Sequence, residues 1–255
     1  MGQAAKKSAW RALSASGALA AFLGLQPGCV AADPAAKVYL PTVVQGETEL
    51  ELGGGYQVWH ANAADRERQL VGEVAYGFTS WWKSELAVGG TRFPGRSTHL
   101  DEIEWENIFA LTEPGQYWLD LGLFAELARD YGAGGNAVTI GPMLQKELGP
   151  AQANLNVFYV RQLGGQGGQG SEYNYAWQAK WRGNPRFEPG LQGFGTLAAT
   201  GALASGPAHK VGPAFFSQAA VGGRNKVKFD AALLFGLNRN TADRTVRFTL
   251  EYEIY

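Results

Sequence analysis

The chain has 255 residues, of which 45% are hydrophobic and only 18% charged, with a formal net charge of −1. Its 35 glycines, 13 phenylalanines, 10 tyrosines and 8 tryptophans favour strands over helices. After residue 32 no window holds the ~18 consecutive apolar residues of a membrane-crossing helix, and the basic residues are scattered, so neither a helical membrane protein nor a nucleic-acid surface is indicated.

The N-terminus reads as an export signal. Lys6, Lys7 and Arg11 form a positive region, Leu13 to Leu25 is apolar, and Val30-Ala31-Ala32 places small residues where a leader is cut. Cleavage is expected before Asp33, giving a signal peptide over 1–32. Cys29 follows Gln26-Pro27-Gly28, a poor lipidation motif, so the mature chain is expected to lack cysteine, as suits an oxidising compartment. Residues 33–46, with Pro34 and Pro41, read as a periplasmic N-terminal lead-in, and the apolar Val38-Tyr39-Leu40 and Val43-Val44 leave an inserted plug as the alternative.

From residue 47 to 255, alternating apolar and polar residues between turn signals predict twelve strands. They fall near 47–59, 69–80, 83–92, 99–111, 116–129, 136–147, 151–163, 172–182, 187–198, 209–220, 226–237 and 244–255. The spacing matches the roughly 9 to 11 residues that a tilted strand needs to cross hydrocarbon. In the fifth, Tyr117, Leu119, Leu121, Leu123, Ala125 and Leu127 share one face and Asp120 and Glu126 the other. The ninth and tenth are interrupted by Pro189 and Pro213, which suggests bends or bulges. Tight turns are expected after even-numbered strands, such as Leu148-Gly149-Pro150, and longer loops after odd-numbered ones, such as Gly164 to Ser171. An even strand count with short turns on the periplasmic side leaves both termini periplasmic.

Aromatics including Tyr56, Trp59, Trp81, Trp105, Trp118, Tyr173 and Trp181 gather near the strand ends, where rings favour a headgroup layer. The chain ends on Tyr255, preceded at alternate positions by Ile254, Tyr252, Leu250, Phe248 and Val246. Together with the leader and the regular hairpins, this resembles Gram-negative outer-membrane β-barrel proteins over nearly the whole mature chain. The resemblance implies an all-β fold, a single closed antiparallel transmembrane barrel of about twelve strands in meander order over 47–255. It also implies outer-membrane localisation, lipid around the wall and the barrel-assembly machinery as a partner in biogenesis. The last strand is similar to the signal that machinery reads, through Phe248, Leu250, Tyr252, Ile254 and Tyr255. It departs by one residue, because the apolar set is in register with the penultimate position.

With apolar side chains facing lipid, the polar face lines the lumen. The early strands supply an acidic arc of Glu49, Glu51, Glu73, Glu85, Glu102, Glu104, Glu106, Asp120 and Glu126. The late strands supply a basic arc of Lys180, Arg182, Lys226, Lys228 and Arg247. Residues 33–130 carry 16 acidic and 7 basic groups, and residues 131–255 carry 7 and 12. One reading is a narrow or gated channel for small polar or charged solutes, ordered by the field between the arcs. The other is a plugged structural or adhesive barrel, in which the same charges pair across a tight lumen and the external loops act.

An outer-membrane hydrolase is the minor alternative. Ser97, His99 and Asp101 are the one cluster of suitable types, but on a strand they stand roughly 6.6 Å apart, too far for a hydrogen-bonded relay. Histidine and cysteine show no metal-ligand spacing, and no cofactor or nucleic-acid partner is expected.

Overall fold

A computed structural model describes residues 33–59, 66–92, 98–131, 135–165, 168–201 and 206–255. The expected leader, His60, Ser97 and part of the Gly164 to Ser171 loop lie outside the described residues. Twelve antiparallel strands follow in order: β1 (Thr48–Val58), β2 (Arg66–Gly77), β3 (Trp82–Arg92), β4 (His99–Ala110), β5 (Asp120–Asp130) and β6 (Asn136–Leu148). The second half comprises β7 (Ala151–Leu163), β8 (Gly170–Trp181), β9 (Glu188–Gly201), β10 (Ala208–Gly222), β11 (Asn225–Gly236) and β12 (Arg244–Ile254). Each pairs with its neighbours in sequence, and β1 closes on β12 from Thr48↔Ile254 to Val58↔Arg244, so the sheet has no free edge. A closed barrel satisfies its backbone within the wall, which a bilayer requires.

Period two sets the inside and the outside. On β5 the even positions from Asp120 to Asp130 turn inward, while Leu121 and Leu127 stand exposed. On β12, Leu250 is 44% exposed, whereas Glu106 on β4 is 1% exposed. A closed barrel covered in Leu, Val and aromatic side chains suits hydrocarbon rather than water.

One expectation fails locally. The fifth strand begins at Asp120 rather than 116, because residues 111–119 form an extended connection instead of the tight turn expected at 112–115. Gly115 adopts φ +74° there, its N–H donates to Asp120 Oδ1 (2.7 Å), and Tyr117 and Trp118 lie on the connection rather than the wall. The bulges expected in the ninth and tenth strands are present, at Leu197 and Val221 rather than at Pro189 and Pro213. Pro213 has no N–H to offer, and the β10–β11 pairing skips from Val211 to Ala214.

The larger correction concerns 33–46. Expected as a lead-in, with an inserted plug as the alternative, this segment runs inside the barrel. It leaves the start of β1, where Gly46 N–H donates to the Gly77 carbonyl (2.8 Å), and climbs until Pro34 lies against Gly55. Gly55 and Gly77 make room: a Cβ would lie 1.9 Å from the Pro34 carbonyl oxygen and 2.0 Å from that of Val44, respectively. Three apolar clusters of the inner wall hold the segment. Ala36 and Val38 pack with Phe194, Phe216 and Leu234, and Tyr39 and Val43 with Ile108, Phe124, Met143 and Phe158. Ala35 meets Val71 and Ala87. Burial of these side chains gives the segment a seat that a disordered tail lacks.

Candidate functional site

The lumen is built from three groups of polar side chains arranged around this inserted segment. The first surrounds Lys37. Its ammonium lies 3.4 Å from Glu51 on β1, contacts Glu73 on β2, and lies 3.5 Å from Glu85 on β3. Lys83 stands below, 2.7 Å from Glu49 and 2.8 Å from Glu85. Four members of the acidic arc, Glu49, Glu51, Glu73 and Glu85, are thus gathered around two cations, one of them brought by the segment.

Tyr39 fixes the segment a little further along. Its N–H donates to Asn156 Oδ1 (2.8 Å), the Asn156 amide donates back to its carbonyl (2.9 Å), and its hydroxyl donates to Glu106 Oε1 (2.8 Å). The ring lies 4.4 Å from Phe124 and 6.0 Å, edge-on, from Phe158. The reciprocal amide bonds make Asn156 a substitute for a neighbouring strand, satisfying backbone groups that would otherwise be buried unpaired.

The second group crosses the wall. Asn154 donates to Gln145 (2.9 Å), Gln178 to Asn154 (3.1 Å), and Gln192 to Gln178 (3.2 Å). Each pair is directly opposed in the strand register, and Asp120 stands opposite Gln145 at one end. At the other end Arg247 donates to Gln192 Oε1 (2.9 Å) and pairs with Asp230. These amides were not anticipated, although Gln145, Asn154, Gln178 and Gln192 share the parity of the charged residues. Nor were the inward Phe124, Phe158, Phe194 and Phe216, because large apolar residues were assigned to lipid.

The basic arc is neutralised within its own half. Lys180 lies 2.9 Å from Glu188, and Arg182 contacts Glu147 and Glu188. Lys228 lies 3.0 Å from Glu251 and contacts Glu253, which is also 3.5 Å from Lys226. In contrast, Glu102, Glu104, Glu106 and Glu126 form a third group that no ion pair among the described residues reaches. Gln69 donates to Glu102 (3.2 Å) and Thr139 to Glu126 (2.9 Å).

Towards the end carrying the 149–150 and 223–224 turns, the segment leaves a cavity of about 420 Å³, lined among others by Glu49, Lys83, Glu147, Arg182, Lys228 and Glu253. At its rim, Glu47 precedes β1 and its carboxyl is pushed up to about 7. Burial is the main cause, with Glu253 and Glu49 adding to it and a bond from Tyr255 and the charge of Lys228 opposing it. Tyr255 donates to Glu253 (3.2 Å), and its N–H donates to Asn225 Oδ1 (3.1 Å). The alternate apolar residues Phe248, Leu250, Tyr252 and Ile254 lie on β12, against β1 and β11. His99 and Asp101 lie on β4, but their expected companion Ser97 is outside the described residues.

Comparison with solved structures finds this architecture again. The COG4313 outer membrane channel from Pseudomonas putida F1 matches with a TM-score of 0.58 at 13% identity, covering 87% of this chain and 98% of that one. The NanC porin matches at 0.55 and 11% identity, covering 81% and 99%. No family model and no curated protein matches the sequence. The chain has the fold of Gram-negative outer-membrane β-barrels, a closed twelve-stranded meander with an apolar exterior and a polar interior.

Proposed function

We propose that this protein is a narrow, gated outer-membrane channel for small polar or charged solutes, with residues 33–46 as its gate. The observation that carries the reading is how the lumen is filled. Among the described residues a peptide segment hung from β1 runs through the lumen, and a charged cavity of about 420 Å³ already opens on one side of it. A wall that filled itself with its own side chains would have no such removable part. Both matched structures bear names that describe a channel or a porin, which agrees with the proposal. The short turns, the start of β1 and the end of β12 then face the periplasm, outer-membrane lipid surrounds the wall, and the barrel-assembly machinery inserts it through β12.

The expected behaviour in planar bilayers is small or intermittent conductance steps for the whole chain, and large, steady ones after deletion of residues 34–44. A deletion variant that folds, shown by its heat-dependent gel mobility, yet stays silent would overturn the channel. The second reading, a permanently plugged barrel acting through its loops, draws on the depth at which Lys37 is held among three carboxylates. It predicts no steps from the whole chain at any voltage.

A further inference from the structure

The segment's far end has a feature that gating does not explain. Asp33 stands inside the barrel, where its carbonyl accepts from Lys210 Nζ (2.6 Å) and its carboxylate from Ala35 N–H (2.7 Å). Ala35 N–H also reaches Gln69 (3.3 Å), whose amide holds Glu102. The Asp33 carboxylate is within electrostatic reach of Glu67, Glu102, Glu104 and Glu126. Glu67 is 4% exposed, and its Oε1 has no hydrogen-bond partner although Oε2 accepts from Gln57. The cations that act on Asp33 are Lys210 and Arg247, and Arg247 is committed to Asp230. Lys210 acts on Asp33 and Glu67 and Lys37 on Glu126, so the acids outnumber the cations here, an imbalance that is costly inside a barrel.

The sequence places a leader-cleavage pattern, Val30-Ala31-Ala32, immediately before this residue. We propose that hydrolysis of the Ala32–Asp33 bond is what completes this site, the new α-ammonium of Asp33 becoming the missing cation among Glu67, Glu102 and Glu104. Water adds across the amide: Ala32 leaves with a carboxylate, and Asp33 keeps an amino group that takes up a proton. The reaction class required is that of a leader peptidase at the exporting membrane. Topology gives the same order of events. The chain reaches Asp33 from β1 through the lumen, so an apolar leader still attached there would start inside the barrel, away from any bilayer. Processing thus precedes seating, and the gate is tethered at one end by β1 and at the other by charge.

The test is chemical and does not depend on conductance. Protein taken from the outer-membrane fraction is analysed by intact mass and N-terminal sequencing, and the expected first residue is Asp33 with a free amine. The folded and the denatured protein are then treated at neutral pH with an acylating reagent selective for α-amines. The folded terminus is expected to react at least about tenfold more slowly. Glu67→Gln with Glu102→Gln, an isosteric pair of changes, is expected to recover most of that loss. So is Gly-Ser inserted between Ala32 and Asp33, which moves the amine off the acids. Heat-dependent gel mobility confirms the fold of each variant. A different first residue, a retained leader, or equal reactivity of the folded and denatured termini overturns the proposal, while a silent bilayer with a protected Asp33 amine would sink only the channel.

Discussion

At the residue scale, charge position decides behaviour. Lys37 is the one cation the gate brings to Glu51, Glu73 and Glu85. Lys37→Met removes it and leaves three carboxylates facing an apolar side chain. The seated state should lose about 1–3 kcal/mol, less than a dry buried pair because the lumen admits water. The open-to-closed ratio in single-channel records then rises roughly ten- to a hundredfold; an unchanged ratio would remove Lys37 from the latch. Glu47 makes a pH prediction. The folded rim keeps a proton up to about 7 that the unfolded chain releases near its usual 4.5. Across that window the native state binds more protons than the unfolded one, so stability falls as pH rises and is level above it. Glu47→Gln should therefore stabilise the protein, relative to the unaltered chain, more at about pH 8 than at about pH 5. Thermal unfolding at the two pH values measures this, and an equal effect at both contradicts it.

At the element scale, the gate is held by fit as well as charge. Gly55 lets Pro34 touch the wall. Gly55→Leu fills that contact while leaving the β1 backbone pairing intact. The expected result is a folded barrel with larger and longer openings; a folded variant with unaltered traces would mean that the segment does not gate. The strands themselves were legible because each carries its own period-two signal. Where expectation failed, the signal was borrowed. Tyr117 and Leu119 continue the parity of Leu121, but the bond from Gly115 to Asp120 ends the strand at Asp120. Parity is a property of the chain, whereas a strand's end depends on which backbone groups find partners.

At the scale of the whole molecule, the basic arc is paired by acids of its own half, whereas part of the acidic arc has no such partner. Selectivity should therefore follow the unpaired Glu102, Glu104, Glu106 and Glu126 rather than a field between two arcs. Glu104→Lys is expected to move the reversal potential in a salt gradient markedly towards anions. Lys228→Glu should move it the opposite way, towards cations, but by less, since Lys228 already sits between Glu251 and Glu253. If the two substitutions shift the potential equally in magnitude, the local-pairing account of the basic arc is wrong.

Alternation alone determined the barrel: twelve runs with one oily and one polar side leave a closed wall between lipid and water as the arrangement that buries neither face wrongly. Parity along every strand also carries the expectation of which acids and bases face inward. The occupant of the interior was decided only by tertiary structure. Residues 33–46 have no period to read, and their seat is assembled from Asn156, Glu106, Phe124, Phe194 and Gly55, which five separate strands bring together. A contact that depends on five distant strands has no local signature, so the sequence could show a tail and the folded barrel alone could show where it goes.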